Sequence, residues 1–530
     1  MKRTIPLAIA LLVVLVSVMA LVRDASGIRT EAMRIGATPA TLYESRTDPG
    51  GPLVFVAHGF AGSQRLMEPL ALHLAGRGYR VVTWDFLGHG RHPLPFSGTI
   101  QDQEGAARVL MNQTSELVAG VRQMLAPGAP YAIAGHSMAT NIVVRVAQES
   151  EGQGVWSSPV ATVGISMFAP TLESDSPWNV LSIAGAFERR LLEEGRRMVS
   201  MALDGDLEAV SLGARVGTFS DGSARMVIAA PRVEHVGVLY SATTLTETGD
   251  WLDAAFGRTS TGDRERGTNR GRWILLLLLC LPVLAWSLIP NLPRALEGHD
   301  RPITFELPTK RWAPLWWGAG VPALLTPLLL RPLPTGFLPV VVADYLALHF
   351  ALFGILAGGV AWIRAGRPGV AAILSATGIR SLHLGRTVLA IVAVATFFLL
   401  VLALPLDRYF TAFFPITQRL PLVFAMLAGT IPYFLADEWL TRSDGVPRGA
   451  YALTKGLFLV SLGLAVALDV QSLFFLVIIF PVILLFFVAH GFFSRWIFEA
   501  TGSPVVAAVG NALAFAWAMG VTFPLYAGPG

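Results

Sequence analysis

The sequence has one cysteine, Cys280, and it lies inside an apolar run. No intrachain disulfide is possible, and no metal site built on cysteines either. Charge is scarce as well. Only 14% of the 530 residues are charged, and the formal balance of +4 is small for that length. The basic residues sit beside apolar runs, so they read as topology signals, and no nucleic-acid partner is expected. Polar tracts are missing from the second half of the chain. Nearly everything after Arg272 is apolar, cut by short basic or Pro/Gly-rich loops. A mean hydropathy of +0.57 excludes a wholly water-soluble globule. The length alone calls for two or more cores.

The apolar runs are long enough to be spans. "IPLAIALLVVLVSVMALV" (5–22) follows Lys2 and Arg3. At about 1.5 Å per residue it covers roughly 27 Å, close to the hydrocarbon thickness of a bilayer. It reads as an uncleaved anchor, with a signal segment cleaved near Ala20 as the alternative. Eight further candidates follow at about 273–290, 312–331, 338–363, 387–406, 420–440, 452–469, 471–493 and 504–523. Trp273, Trp312, Trp316, Trp317 and Trp439 fall near their ends, as an aromatic belt does. The expected organisation is an anchor or signal segment over 1–22, a polar domain over 23–257, a basic linker over 258–272 and a polytopic all-α domain over 273–530.

Orientation follows from the short loops. With the N-terminus in the cytoplasm, Lys2, Arg3, Arg294, Arg301, Lys310, Arg311, Arg364, Arg367, Arg380, Arg386, Arg442, Arg448, Lys455 and Arg495 all fall inside. Only Arg331, Arg408 and Arg419 fall outside in short loops. That asymmetry places the polar domain outside the cytoplasm, in a cell-membrane protein. The linker "RTSTGDRERGTNRGRW", with five arginines on the outer side, runs against the rule.

Within the polar domain, apolar strands alternate with amphipathic helices. "GPLVFVAHGFAGS" (51–63), "YRVVTWDFLGHG" (79–90), "PYAIAGHS" (130–137), "VATVGISMFAP" (160–170), "WNVLSIAGAFE" (178–188) and "ARMVIAAPRVEH" (224–235) read as buried strands. Helical patterns separate them, and "ATTLTETGDWLDAAF" closes the series. This pattern predicts a mostly parallel sheet covered on both faces, an α/β domain. Residues 28–47 could add an antiparallel hairpin at the edge.

Ser137 stands between the third strand and a helix. The small residues Gly135 and Ala139 flank "GHSMA" as a tight nucleophile turn requires. A serine capping the helix is the competing reading. Four segments in order decide between them. "AHGFAGS", "WDFLGHG", "GHSMA" and "VEHVGVLYS" together resemble the α/β-hydrolase fold family over about residues 30–257.

That resemblance implies a serine hydrolase, most simply of carboxylic or lipid esters, with no cofactor and no metal. Ser137 would be the nucleophile, His235 the base, and the backbone N–H groups of Phe60 and Met138 the oxyanion hole. Gly135, His136 and Ala139 would form the elbow around Ser137. Glu188 holds the family's acid spacing after Gly185, with Asp175 in "TLESDSPW" as the alternative and a solvated helix-start residue as the bland reading of Glu188. His58 and His89 belong to the turn motifs, and Asp85 reads as a structural turn residue. The stretch between Ser137 and Glu188 leaves little room for an inserted lid.

The membrane half is less informative. Asp344, His349, Asp437, Glu438, His490 and Asn511 are polar groups within or beside spans. Asp437 and Glu438 lie near a span end, where snorkelling to the interface explains them. "DEWLTR", followed by "HGFFSRW", faintly resembles the CPBP intramembrane protease family, with Asp437 for the first glutamate. The histidine of the last span is missing, and Asn511 stands nearby, so proteolysis is not expected. The alternatives to an esterase are a transporter or lipid-handling protein with an accessory hydrolase domain, and a catalytically silent binding module. The sequence carries no signal of oligomeric state.

Overall fold

The structure is a computed structural model and describes residues 3–98, 104–151, 158–259, 265–296, 312–334, 337–340, 342–371, 384–442 and 446–527. The chain forms two compact units. One comprises Val13–Leu278 with Leu406–Phe413 and Pro524–Gly530, and the other comprises Met1–Leu12, Leu279–Pro405 and Phe414–Phe523.

The first unit is built on eight strands: β1 (Ile28–Ile35), β2 (Thr38–Ser45), β3 (Leu53–Ala57), β4 (Arg80–Trp84), β5 (Tyr131–His136), β6 (Thr162–Ile165), β7 (Val180–Gly185) and β8 (Arg225–Ala230). They form one sheet in the order β1-β2-β4-β3-β5-β6-β7-β8. The hairpin β1–β2 is antiparallel and β2 pairs antiparallel with β4. From β4 to β8 every pairing is parallel. The edge hairpin expected over 28–47 is therefore present.

Parallel strands need helical crossovers, and these cover both faces. Five helices follow the apolar N-terminal helix α1 (Thr4–Asp24): α2 (Glu68–Gly76), α3 (Ala106–Leu125), α4 (Met138–Ser150), α5 (Arg189–Ser200) and α6 (Ala242–Ala255). On one face Leu70, Leu72 and Leu74 of α2 and Leu245 and Leu252 of α6 pack on Val54, Val56, Ala132, Ala134, Val163 and Ile183. On the other, Val144 of α4 and Met198 and Val199 of α5 pack on Val180 and Val227. Each of these strands is buried on both faces, which is why they read as continuous apolar runs.

The arginines of the linker have structural work here. Arg266 donates to the Asp24 and Ser26 carbonyls, both at 2.7 Å. Arg270 is 1% exposed and bridges Asp24 at 3.3 Å and Glu68 at 2.8 Å. Arg258 lies over the Tyr79 ring.

Among the described residues, nine helices are long and apolar enough to cross a membrane: Thr4–Asp24, Arg270–Asn291, Ala313–Leu330, Ala343–Arg364, Leu384–Tyr409, Thr417–Arg442, Ala450–Leu468, Ile479–Thr501 and Pro504–Thr522. The expected spans all coincide with these, but the eighth was too short. Its helix runs Val470–Thr501, because neither Pro481 nor the polar stretch around Ser494 interrupts it. In the second unit, Phe350, Tyr433, Phe458 and Phe515 interlock at the centre of the bundle. The snorkelling reading of Asp437 and Glu438 is overturned. Both are buried, at 4% and 0% exposure. Asp437 pairs with Lys455 and accepts from Thr454 at 2.9 Å. Glu438 accepts from Arg442 at 3.1 Å and from Ser494. Partners on the same helix and on neighbouring helices make burial cheaper than a reach to the interface. His490 Nδ1 meets Asn511 Oδ1 at 3.1 Å in the same unit.

Candidate active site

Ser137 lies at the junction of β5 and α4 with φ 55° and ψ −121°. A non-glycine residue seldom takes that conformation, and the surrounding packing must hold it there. The flanking small residues show how. A Cβ on Gly135 would lie 2.7 Å from the Ala139 carbonyl oxygen, and Ala139 is itself fully buried. The Ser137 side chain makes no cap bond to α4, so the helix-cap reading fails. Its N–H is tied to the Ile165 carbonyl at 2.9 Å.

Two further loops deliver partners to Ser137. The one after β8 brings His235, whose Nε2 is 2.8 Å from Ser137 Oγ. The one after β7 brings Glu188, whose Oε1 is 2.5 Å from His235 Nδ1. Glu188 is therefore not a solvated helix-start residue: its side chain is 7% exposed. The other oxygen, Oε2, accepts from the Gly185 N–H and from Ser166 Oγ, both at 2.7 Å. Burial pushes the Glu188 carboxyl up, yet the bonds from His235, Gly185 and Ser166 more than offset it and hold the group below the usual carboxylate range. Such a carboxylate stays ionised and accepts the Nδ1–H of the imidazole, leaving Nε2 free to take a proton. The His235 side chain is 46% exposed, so the serine can be approached from solvent.

The alternative acid stands elsewhere. Asp175 is exposed in the loop after β6, and its charge is felt by Arg225. Asp85 accepts from the Gln64 N–H at 2.7 Å and the Arg91 N–H at 3.0 Å, the work of a turn residue. His58 is buried, with Nδ1 2.7 Å from the Gly59 carbonyl and Nε2 accepting from the Phe86 N–H at 3.1 Å. It ties two turns together. His89 Nδ1 lies 2.8 Å from the Leu87 carbonyl.

Phe60 follows β3 in a turn closed by the Gly62 N–H on the Gly59 carbonyl at 3.1 Å. Met138 opens α4, where first-turn N–H groups have no acceptor within the helix.

Two contributors had no signal in the linear sequence. Ser166, at the end of β6, reaches Glu188 only through the order of the sheet. His136, expected merely as the variable elbow residue, points Nε2 at the His235 carbonyl at 2.9 Å. Burial pulls the His136 imidazole down to about 4, so it stays neutral and donates that bond without competing as a base. Among the described residues no group of three or more His, Cys, Asp or Glu is placed to hold a metal.

Residues 50–193 match the family model described as serine aminopeptidase, S33. A Mycobacterium phage D29 protein named as a non-heme haloperoxidase is 34% identical over 104 residues, 19% of this chain and 33% of that one. The chain thus spans about a third of that relative's length. Solved structures with some similarity include TT1662 from Thermus thermophilus, at 14% identity, covering 44% of this chain and 99% of that one with TM-score 0.30. Another is epoxide hydrolase VrEH1 from Vigna radiata, at 19% identity, covering 28% of this chain and 42% of that one with TM-score 0.21. At such scores the overlap is partial, and the assignment rests on the family match and on the chain's own sheet order and serine turn. By these, the sheet domain from Ile28 to Ala255 has the α/β-hydrolase fold.

Proposed function

We propose that the chain is a membrane-anchored serine hydrolase that cleaves carboxylic or lipid esters through Ser137, His235 and Glu188, with its hydrolase domain outside the cytoplasm. The observation that carries the reading is the continuous line from Ser137 Oγ through the His235 ring to Glu188, at 2.8 and 2.5 Å. In this reading Ser137 Oγ attacks the acyl carbonyl while His235 Nε2 takes its proton. Glu188 stabilises the imidazolium that results. The carbonyl oxygen gains its negative charge facing the N–H groups of Phe60 and Met138, which act on charge present only in the transition state. His235 then returns the proton to the departing alkoxide, leaving an acyl-serine. Water then attacks the acyl-serine, giving a proton to His235, and the C–Oγ bond breaks as His235 returns that proton to Ser137 Oγ, releasing the acid.

The half-exposed His235 beside the serine and the nine apolar helices among the described residues favour an amphiphilic ester presented near a bilayer. The test is a fluorophosphonate probe on the purified full chain. Wild type should label and turn over short esters, and Ser137→Ala should do neither while keeping its melting temperature. Removing a triad nucleophile typically costs several orders of magnitude in kcat. Labelling that survives in Ser137→Ala would sink the assignment. Wild-type protein that folds but never labels would favour the silent binding module.

A further inference from the structure

Two segments that flank apolar helices in sequence belong to the hydrolase unit: Leu406–Phe413 and Pro524–Gly530. We propose that they are positioning elements of the active site, holding the turn over residues 59–62 and thereby the Phe60 N–H. The proposal rests on the reading of Ser137, His235 and Glu188 given above.

The first segment grips the oxyanion turn where it ends. Ser63 is 1% exposed. Its Oγ accepts from the Ala412 N–H at 2.9 Å and lies 3.1 Å from Thr411 Oγ1. Arg91 donates to both oxygens of Asp407 at 2.7 Å. The backbone N–H of Arg91 in turn donates to Asp85, the residue that fixes Gln64 immediately after Ser63. The same segment touches the histidine side of the site. Phe410 stacks on Tyr240 with centroids 6.1 Å apart, in the short helix Gly237–Tyr240 that follows His235.

The second segment works through a line of rings. Leu525 is clasped on both sides of its backbone: its N–H donates to the Gly88 carbonyl at 2.8 Å, and its carbonyl accepts from the Phe96 N–H at 3.1 Å. The Ala527 N–H adds a bond to the Phe96 carbonyl at 2.9 Å. A Cβ at Gly88 would lie 2.3 Å from the Leu525 carbonyl oxygen, so the turn after β4 has no room for a side chain there. The Tyr526 ring meets Phe96 at 5.0 Å, Phe96 stacks on His89 at 5.7 Å, and His89 meets the Phe60 ring at 5.6 Å. A chain of packed rings thus runs from the tail to the residue whose N–H faces the oxyanion. Rings in van der Waals contact transmit a displacement, because packed interiors have little free volume.

The experiment compares turnover per titrated active site in the full chain and in four variants: one ending at Phe523, Tyr526→Ala, Ser63→Ala and Ser63→Thr. Fluorophosphonate burst labelling counts the competent serines in each preparation. A loosened oxyanion turn lowers kcat and leaves KM nearly unchanged, since the lost contact exists only in the transition state. Losing one oxyanion donor outright costs about a hundred- to a thousandfold. A donor that is displaced but present should therefore cost on the order of tenfold in kcat. That loss is expected in the shortened chain, in Tyr526→Ala and in Ser63→Ala. Ser63→Thr keeps the hydroxyl and should recover most of the rate. Unchanged kcat per labelled serine in Tyr526→Ala and Ser63→Ala overturns the proposal, even where the shortened chain fails to fold. Labelling that persists in Ser137→Ala overturns instead the reading of the site on which the proposal stands.

Discussion

Glu188 is the residue on which sequence and structure had most to say to each other. Its spacing from Gly185 marked it, but a carboxylate at a helix start is also what the helix dipole favours. The tertiary contacts separate the two. One oxygen faces His235, the other takes the Gly185 N–H and Ser166. Glu188→Gln keeps the shape and removes the charge that stabilises the imidazolium, so ester turnover should fall about a thousandfold or more. Asp175→Asn should change it little, because Asp175 is exposed in another loop. Turnover on a short soluble ester, with thermal melting as the control, checks both. A crippled Asp175→Asn beside a healthy Glu188→Gln would exchange their roles. Ser166 was invisible beforehand: serine is common, and only the pairing of β6 with β7 brings it to the acid.

The turn between β5 and α4 is the element that presents Ser137, and its requirements are steric. Gly135 cannot carry a side chain, since a Cβ there meets the Ala139 backbone at 2.7 Å. Ala139 faces no such limit from below, and glycine in its place only removes a methyl group. Gly135→Ala should therefore push β5 and α4 apart, lower the melting temperature and abolish or strongly slow fluorophosphonate labelling. Ala139→Gly should label normally, at a stability cost of roughly 0.5–1 kcal/mol for glycine in a helix. Equal labelling in the two variants would mean that the turn tolerates opening. The same logic explains why the buried strands were legible and the bundle's polar pairs were not. A run such as Leu53–Ala57 must be buried whatever its neighbours are. Asp437 and Glu438 needed Lys455, Thr454, Arg442 and Ser494 in place before burial became tolerable.

Connectivity offers an independent check on the proposed topology. Val13–Leu278, Leu406–Phe413 and Pro524–Gly530 fold into one unit, so the proposed topology requires the parts of them outside the helices to lie on one side of the membrane. Among the described residues, four candidate spans separate the start of Leu278's helix from Tyr409, and four more lie between Thr417 and Thr522. An even number of crossings returns the chain to the side it left, as the proposed topology requires. Three of the five linker arginines, Arg258, Arg266 and Arg270, are held by a ring, carbonyls and carboxylates of the hydrolase unit. A cysteine replacing exposed Ser211 should therefore react with a membrane-impermeant maleimide in intact cells, and one replacing exposed Arg448 only after lysis. Native Cys280, buried in an apolar helix, should stay silent. The opposite pattern places catalysis in the cytoplasm.

Periodicity and local chemistry determined much of this protein from sequence alone. Apolar runs of different length separate strands from spans, because a strand needs only a sheet's width and a span needs a bilayer's. The serine turn was legible because its steric demands are met by neighbours in sequence, Gly135 and Ala139. The tertiary structure decided whatever depends on residues far apart in the chain. Ser137, Glu188 and His235 come from the ends of three different strands, and the distances between them exist only once the sheet order is set. Leu406–Phe413 and residues 524–527 look like ordinary connections beside apolar helices, and nothing in their composition assigns them to the hydrolase unit. The bonds of Leu525 and Ala527 to Gly88 and Phe96 run through backbone groups that every residue carries, and the side-chain pairs Ser63 with Thr411 and Arg91 with Asp407 join residues far apart in the chain, so no local sequence pattern could announce them.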